Sequence, residues 1–329
     1  MTRLPKISMP MTPTGPCWIC GADSFHHVWT DPFDLTAHPR YGPYAHNENP
    51  PSRLLSCRSC GFAQPESLPG IPDYFDLMYG DQPWLNKESM AIDYNRGAKD
   101  LLFREVLSVI GKRLAPDVPR TVLDVGTYIG RFLELATNAG FDAEGIELNL
   151  RAADFAERRT GRPIHRVKAQ ELADSGRRYG AVTMIDVLEH IPQPAPVVAA
   201  LRNLLAPGGV LVVKVPHGSM QRFKERIRLL SVRTPDAREA GNIGVMSRFI
   251  HVNHFTPGSL KRCLENAGFT PVKVKTSPPD FHQENVDRSV TEKLRALNRV
   301  FVYRAARMLP FGVNSPLSFN LLADAVNPR

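Results

Sequence analysis

The stretch "TVLDVGTYIGRFLEL", residues 121–135, constrains the fold more than any other. An apolar run ends at Asp124, Gly126 and Gly130 follow four residues apart, and a helical spacing of apolar residues then begins. A strand that stops at a glycine turn and feeds a helix exposes backbone N–H groups at the helix start, where a small ligand can approach them. A tight turn without a ligand has the same local sequence, so the context has to decide.

The context repeats the unit. "AEGIEL" reads as a second strand ending at Glu147, and "RAADFAERRTG" as a helix stopped by glycine. "AVTMIDVL" reads as a buried strand, "PAPVVAALRNLL" as a helix, and "PGGVLVVKVP" as a turn and a further strand. Short apolar runs alternating with amphipathic helices predict an α/β fold with a mainly parallel sheet. Ligands of such sheets lie beyond the carboxyl ends of the strands, which places Glu147 to accept hydrogen bonds from a ribose diol. The G-x-G-x-x-G fingerprint of dinucleotide dehydrogenases is absent, because Tyr128 and Arg131 stand where its later glycines would be.

Ahead of this unit, "CWICG" and "CRSCG" place Cys17 with Cys20 and Cys57 with Cys60, each pair followed by glycine. Thiolates two residues apart can reach one ion from a tight turn, so the two turns supply a closed tetrahedral shell for a structural Zn2+. Two disulfides are the competing reading, and His26, His27, His38 and His46 are alternative ligands. A Pro/Gly-punctuated connector follows, then a helical pattern over "KESMAIDYNRGAKDLLFREVLSVIGKRL" that predicts one or two helices ending near Lys112. The resulting division is a zinc-binding, zinc-ribbon-like module over 1–70, a helical connector or lid over 71–118, and the main domain over 119–329. The segment 218–250 is placed to cap the site, and 289–310 reads as a basic amphipathic helix.

Hydrophobic residues at 43% and charged residues at 22% describe an ordinary globular chain. No apolar stretch has the length of a membrane span, and the first residues lack the apolar segment of a secretory signal, so a cytoplasmic protein is expected. The net charge of +8 favours an anionic partner, although a solvated basic surface has the same composition.

An acid just before the glycine turn resembles the first motif, roughly D-x-G-x-G-x-G, of the class I S-adenosylmethionine-dependent methyltransferases. "YGAVTMIDVLEHIPQPAPVVAALRNLLAPGGVLVVKVP" and "HVNHFTPGSLKRCLENAGF" resemble later blocks of that family in the expected order, over roughly residues 120–275. The resemblance implies a Rossmann-like seven-stranded, mainly parallel sheet and S-adenosylmethionine as cofactor. It assigns Asp124, Gly126, Thr127 and Gly130 to the methionine end of the cofactor, Glu147 to its ribose, and Ala169 and Gln170 to its adenine. Asp186 and Glu189 then face the donor. Two positions depart from the pattern: Tyr128 replaces the middle glycine, and Gly180 replaces the acid expected after Tyr179. The first departure narrows the expected pocket.

Methyl transfer to a hydroxyl requires alignment and a base, and histidine titrates in the right range. His251 is the first candidate and His190 the second; His217 and His254 also follow sheet strands. A double cysteine knuckle ahead of this fold resembles the sugar methyltransferases of nucleotide-sugar and polysaccharide pathways. In their carbon-methylating branch a tyrosine and a glutamate precede the histidine where "RFIH" puts Arg248 and Ile250, which favours oxygen methylation. The expected activity is therefore methylation of a hydroxyl of a sugar, nucleotide-sugar or glycoconjugate. The alternatives are a phenol or quinone-precursor O-methyltransferase, a sugar C-methyltransferase, a zinc-module RNA methyltransferase and a non-catalytic cofactor-binding scaffold. Arg222, Lys224, Arg226, Arg228 and Arg233 suit an anionic acceptor, and the tail helix suits peripheral membrane contact or a homodimer. Nucleic acid is disfavoured, because the knuckle region lacks clustered Lys/Arg interleaved with aromatics.

Overall fold

The computed structural model describes residues 11–30, 53–69, 86–231, 251–279, 290–309, 312–314 and 318–329. At the amino-terminal end β1 (Met11–Pro13) pairs antiparallel with β5 (Ser67–Pro69). Beside them β2 (Phe25–Thr30), β3 (Arg53–Cys57) and β4 (Ala63–Pro65) form a three-stranded antiparallel sheet. Two helices follow, α1 (Lys87–Arg96) and α2 (Asp100–Arg113), in agreement with the helical spacing read there. Asn86 caps α1 by accepting from the Ser89 N–H, satisfying one of the orphan donors of the first turn.

The main sheet contains β6 (Thr121–Val125), β7 (Asp142–Ile146), β8 (Ile164–His165), β9 (Tyr179–Ile185), β10 (Leu205–Pro216), β11 (Val272–Thr276) and β12 (Asn320–Val326). The intervening helices are α3 (Arg131–Asn138), α4 (Leu150–Thr160), α5 (Ala169–Asp174), α6 (Ala195–Asn203), α7 (Gly218–Ser231), α8 (Pro257–Asn266) and α9 (Val290–Met308). Strand order is β11-β12-β10-β9-β6-β7-β8, with β12 antiparallel to both of its neighbours and β6 to β10 mutually parallel. This is the mainly parallel sheet that the alternating pattern implied, with the seven strands that the family resemblance implied.

The final strand departs from expectation. "NLLADAV" reads as a strand returning to the sheet edge, yet β12 lies one strand in, between β10 and β11. Burial explains the exchange: Leu321 to Ala325 are all buried, whereas Lys273 of β11 is exposed. The strand that is apolar on both faces takes the covered position. "AVTMIDVL" also stops short as a strand, at Ile185, because Asp186 turns into the left-handed region at φ 57°.

Side chains alternate across the sheet. Leu123 and Val125 join Val198, Leu201, Leu260 and Leu264 on one face, together with Cys57 and Phe62 of the amino-terminal module. Val122 joins Leu102, Val106, Ile110, Phe132 and Ala156 on the other. α2 is thus part of the sheet's own core. Arg131 at the start of α3 donates to both oxygens of Asp100 at 2.9 and 2.6 Å, which ties the α1–α2 junction to the glycine turn. No helix among the described residues is long and apolar enough to cross a membrane.

Candidate active site

The turn after β6 carries the backbone geometry its glycines suggest, but for a reason that lies in the protein itself. Gly126 has φ +80° and Gly130 φ +79°. A Cβ on Gly126 would lie 2.3 Å from Val187 Cγ2, and one on Gly130 would lie 3.0 Å from Ala156 Cβ and Thr160 Cγ2. Both glycines are required by packing before any ligand is considered. Tyr128 between them adopts φ 51°, an uncommon conformation for a side-chain-bearing residue. Its backbone N–H donates to Glu147 Oε2 at 2.7 Å. Its side chain is 36% exposed, with the hydroxyl 3.4 Å from Asp93 Oδ2 on α1. The ring therefore leaves the crevice instead of filling it. A cavity of about 330 Å³ remains, lined by Asp93, Lys99, Asp124, Gly126, Thr127 and Tyr128 among others. That is the size of a small-molecule site.

Three of the predicted donor-side residues, Asp124, Gly126 and Thr127, line this cavity. Asp124 is 4% exposed and accepts from the Thr183 hydroxyl at 2.6 Å. Burial lifts its carboxyl to about 6, against the pull of that hydrogen bond. Glu147 stands one hydrogen bond behind Tyr128 and also accepts from the Asn149 N–H at 2.8 Å; burial raises it as well. The Leu148 backbone also favours its charged form, and Glu147 is not among the cavity-lining residues. Gly130 packs on α4, Ala169 packs into the core and Gln170 is exposed; none of these is among the cavity-lining residues.

Asp186 is held by two lysines. One oxygen pairs with Lys214, which is 2% exposed, and the other with Lys99 at 2.6 Å. Burial works to raise its carboxyl, and the two ammonium groups outweigh it and hold it well below the usual range. Neither lysine is among the residues that the sequence pattern singled out. A lone lysine inside the apolar run "VLVVKVP" is a readable signal for Lys214, because a buried ammonium demands a partner. Lys99 sits in a connector helix junction and carries no such signal.

The second half of the site forms where the 3-10 turn Leu188–His190 meets residues 251–256. The Val252 and Asn253 N–H groups both donate to the Glu189 carbonyl, at 2.9 and 3.0 Å. The Asn253 side chain donates to the Leu188 and Ile191 carbonyls, at 2.7 and 2.6 Å. The rings of His190 and His251 lie 4.7 Å apart, edge to face, and with Glu189 they bring three polar side-chain atoms within 4.8 Å of one another. Glu189 is 1% exposed with Oε2 unpartnered; burial first, and the Asp186 charge second, raise it well above the ordinary range. Burial also lowers His251 well below its ordinary value. Burial thus disfavours charge on both groups, the Glu189 carboxylate and the His251 imidazole alike.

The other two histidines are placed differently. His217 bonds through Nε2 to the Val313 carbonyl at 3.1 Å, and burial lowers it to about 4. His254 is fully buried and lowered by burial to about 3, and its backbone pairs with Ala63. Among the basic residues, Arg222 donates to Ser219 Oγ at 3.2 Å, and Lys224 stands 3.7 Å from the centre of the Phe319 ring. The side chains of Arg226 and Arg228, and all of Arg233, Arg248 and Ile250, lie outside the described residues.

The four knuckle cysteines converge. Sγ of Cys17 is 3.6 Å from that of Cys60, Sγ of Cys20 is 3.5 Å from that of Cys57, and all four lie within 4.8 Å of one another without a disulfide. A tetrahedral zinc–thiolate shell with bonds of about 2.3 Å needs sulfurs about 3.8 Å apart, so the set fits that ion. The hydrogen bond shared with Cys60 draws the Cys17 thiol down to about 5. His26 and His27 lie on β2 outside this cluster, and His38 and His46 fall outside the described residues.

Residues 94–274, more than half of the chain, match the family model described as "Methyltransferase domain". The chain belongs to that family. Its methyltransferase domain is 36% identical over 110 residues to the ubiquinone biosynthesis O-methyltransferase of Methylococcus capsulatus, covering 32% of this chain and 46% of that one. It is 33% identical over 167 residues to the enzyme of the same name from Psychrobacter arcticus, covering 46% and 59%. The chain thus spans about half the length of the curated relatives it matches. Among solved structures, a SAM-dependent methyltransferase from Archaeoglobus fulgidus aligns over 73% of this chain and 100% of its own, at 18% identity and a TM-score of 0.46.

Proposed function

We propose that the protein transfers a methyl group from S-adenosylmethionine to a hydroxyl oxygen of an anionic acceptor, a sugar or glycoconjugate. The observation that carries this reading is the His190–His251 pair beside Glu189, just past the carboxyl end of β9, the strand parallel to β6 and its glycine turn. When bound, S-adenosylmethionine supplies a methyl group on a positively charged sulfur that is already a good leaving group.

The residues present suit that cofactor. Asp124 is a buried acid whose charged form is penalised by burial, so a cationic guest would stabilise it. Gly126 and Thr127 would flank the methionine end, and the Glu147 carboxylate at the end of β7 would accept from the ribose hydroxyls. His251 would take the proton of the acceptor hydroxyl as its oxygen bonds to the methyl carbon. Its lowered basicity keeps it unprotonated and ready at neutral pH. His190 and Glu189 would flank the imidazolium that results. Cys17, Cys20, Cys57 and Cys60 would hold a structural zinc ion, with no ligand position left open for chemistry.

A phenolic acceptor is the second reading. It is favoured by the names of the relatives, and by the weak basicity of His251, which suits a hydroxyl more acidic than that of a sugar. The test is labelled-methyl transfer to a panel of nucleotide-sugars, lipid-linked glycans and catechol-type phenols. Transfer to a glycan hydroxyl supports the first reading and transfer to a phenol the second. Transfer to nitrogen or carbon in place of oxygen overturns both.

A further inference from the structure

We infer that the four-cysteine module is the anchor of the acceptor-side histidine segment, with Asn253 as the positioning residue that locks this segment to the turn bearing Glu189 and His190. The inference rests on the proposed function for the meaning of "acceptor side", but its geometry stands by itself.

The connection is continuous. Ala63, three residues after Cys60, exchanges both backbone hydrogen bonds with His254, at 3.2 and 2.9 Å. The Thr256 hydroxyl points to the Cys60 carbonyl at 3.5 Å, and Asn266 of α8 donates to the Ile19 carbonyl, inside the first knuckle, at 2.8 Å. Phe62 and Phe255, both fully buried, stack with centroids 5.1 Å apart. From His254 the chain runs straight to Asn253 and Val252, whose four hydrogen bonds hold the Leu188–Ile191 turn. His251 then faces His190 because its carboxyl-terminal neighbours are fixed on two sides. None of residues 53–66 or 251–266 is among those lining the donor cavity. A module that served only as a detachable handle for a partner would not share a β-bridge, an aromatic pair and a core with the catalytic segment.

Two perturbations test this without any acceptor. Zinc is first removed from the full-length protein with a chelator, and amide hydrogen exchange and S-adenosylhomocysteine calorimetry are recorded. Exchange at Val252, Asn253 and His254 is expected to rise at least tenfold, while the dissociation constant changes less than twofold. Preserved protection at these amides, with Gly61 exchanging freely, would overturn the anchoring role. Should chelation abolish cofactor binding by unfolding the whole chain, the Asn253→Ala variant decides. It is expected to shift the His190 and His251 ring resonances and their titration while cofactor affinity holds, and Asn253→Gln is expected to restore part of the wild-type spectrum. Unchanged ring resonances in Asn253→Ala would refute the lock. If His251 proves not to be the base, normal turnover of His251→Ala will show it, and the exchange result is unaffected.

Discussion

Replacing Gly126 with alanine separates two reasons for a bare backbone after β6. The residue has φ +80°, where an L side chain costs about 1–2 kcal/mol. The added Cβ would also sit 2.3 Å from Val187 Cγ2, an overlap that forces a shift worth about 1–3 kcal/mol. Gly126→Ala should therefore destabilise the protein by roughly 2–5 kcal/mol. Val187→Ala removes the colliding methyl and leaves Cβ at 3.6 Å, an ordinary contact. In that background Gly126→Ala should cost only the backbone term, giving a coupling of about 1–3 kcal/mol in a double-mutant cycle. Urea unfolding of the four proteins measures it. An equal cost of Gly126→Ala in both backgrounds would refute the collision. Calorimetry with S-adenosylhomocysteine on the same proteins then isolates the ligand's share. If the turn is also bare for the cofactor, the double variant regains stability but stays weak in binding.

Asp186→Asn should cost about 3–5 kcal/mol, because it strands the buried Lys214 ammonium without a counter-charge. Adding Lys214→Met should recover most of that in urea unfolding, and no recovery would show that the pair is not what the loss reports. His251 is lowered by burial, so its competent, unprotonated form should persist as pH falls through 6.5, the ordinary histidine value. The acid limb of the kcat/KM profile should thus lie below that value, and a limb at or above it would assign the base elsewhere.

What the sequence made legible is what neighbours along the chain determine. The strand–turn–helix at 121–138, the helix over "RAADFAERRTG" and the paired knuckles follow from local spacing and conformational preference. Asp124, Gly126 and Thr127 line one cavity, and the four cysteines converge as their spacing suggested. What it could not supply comes from chain segments far apart. Val187, 61 positions after Gly126, explains that glycine, and Lys99 reaches Asp186 across 87 positions. The placing of β12 inside β11 at the sheet edge is likewise set by long-range burial, since β12 is buried on both faces and β11 alternates with lysines. No local pattern encodes any of these contacts.

Tyr128 shows how a motif can depart from its pattern and still leave a cavity beside the turn. A side chain at the middle glycine position is expected to crowd the donor, and it would do so if the backbone kept an extended conformation. Instead the residue accepts left-handed strain of about 1–3 kcal/mol, which turns its N–H onto Glu147 and its ring outward to Asp93. The hydrogen bond to a buried carboxylate offsets that strain, since a charge-assisted bond is among the stronger ones. The substitution then adds a wall to the cavity on the α1 side, where a glycine would leave it open. Strain at one residue is thereby converted into a wall of the cavity, which Tyr128 and Asp93 line together.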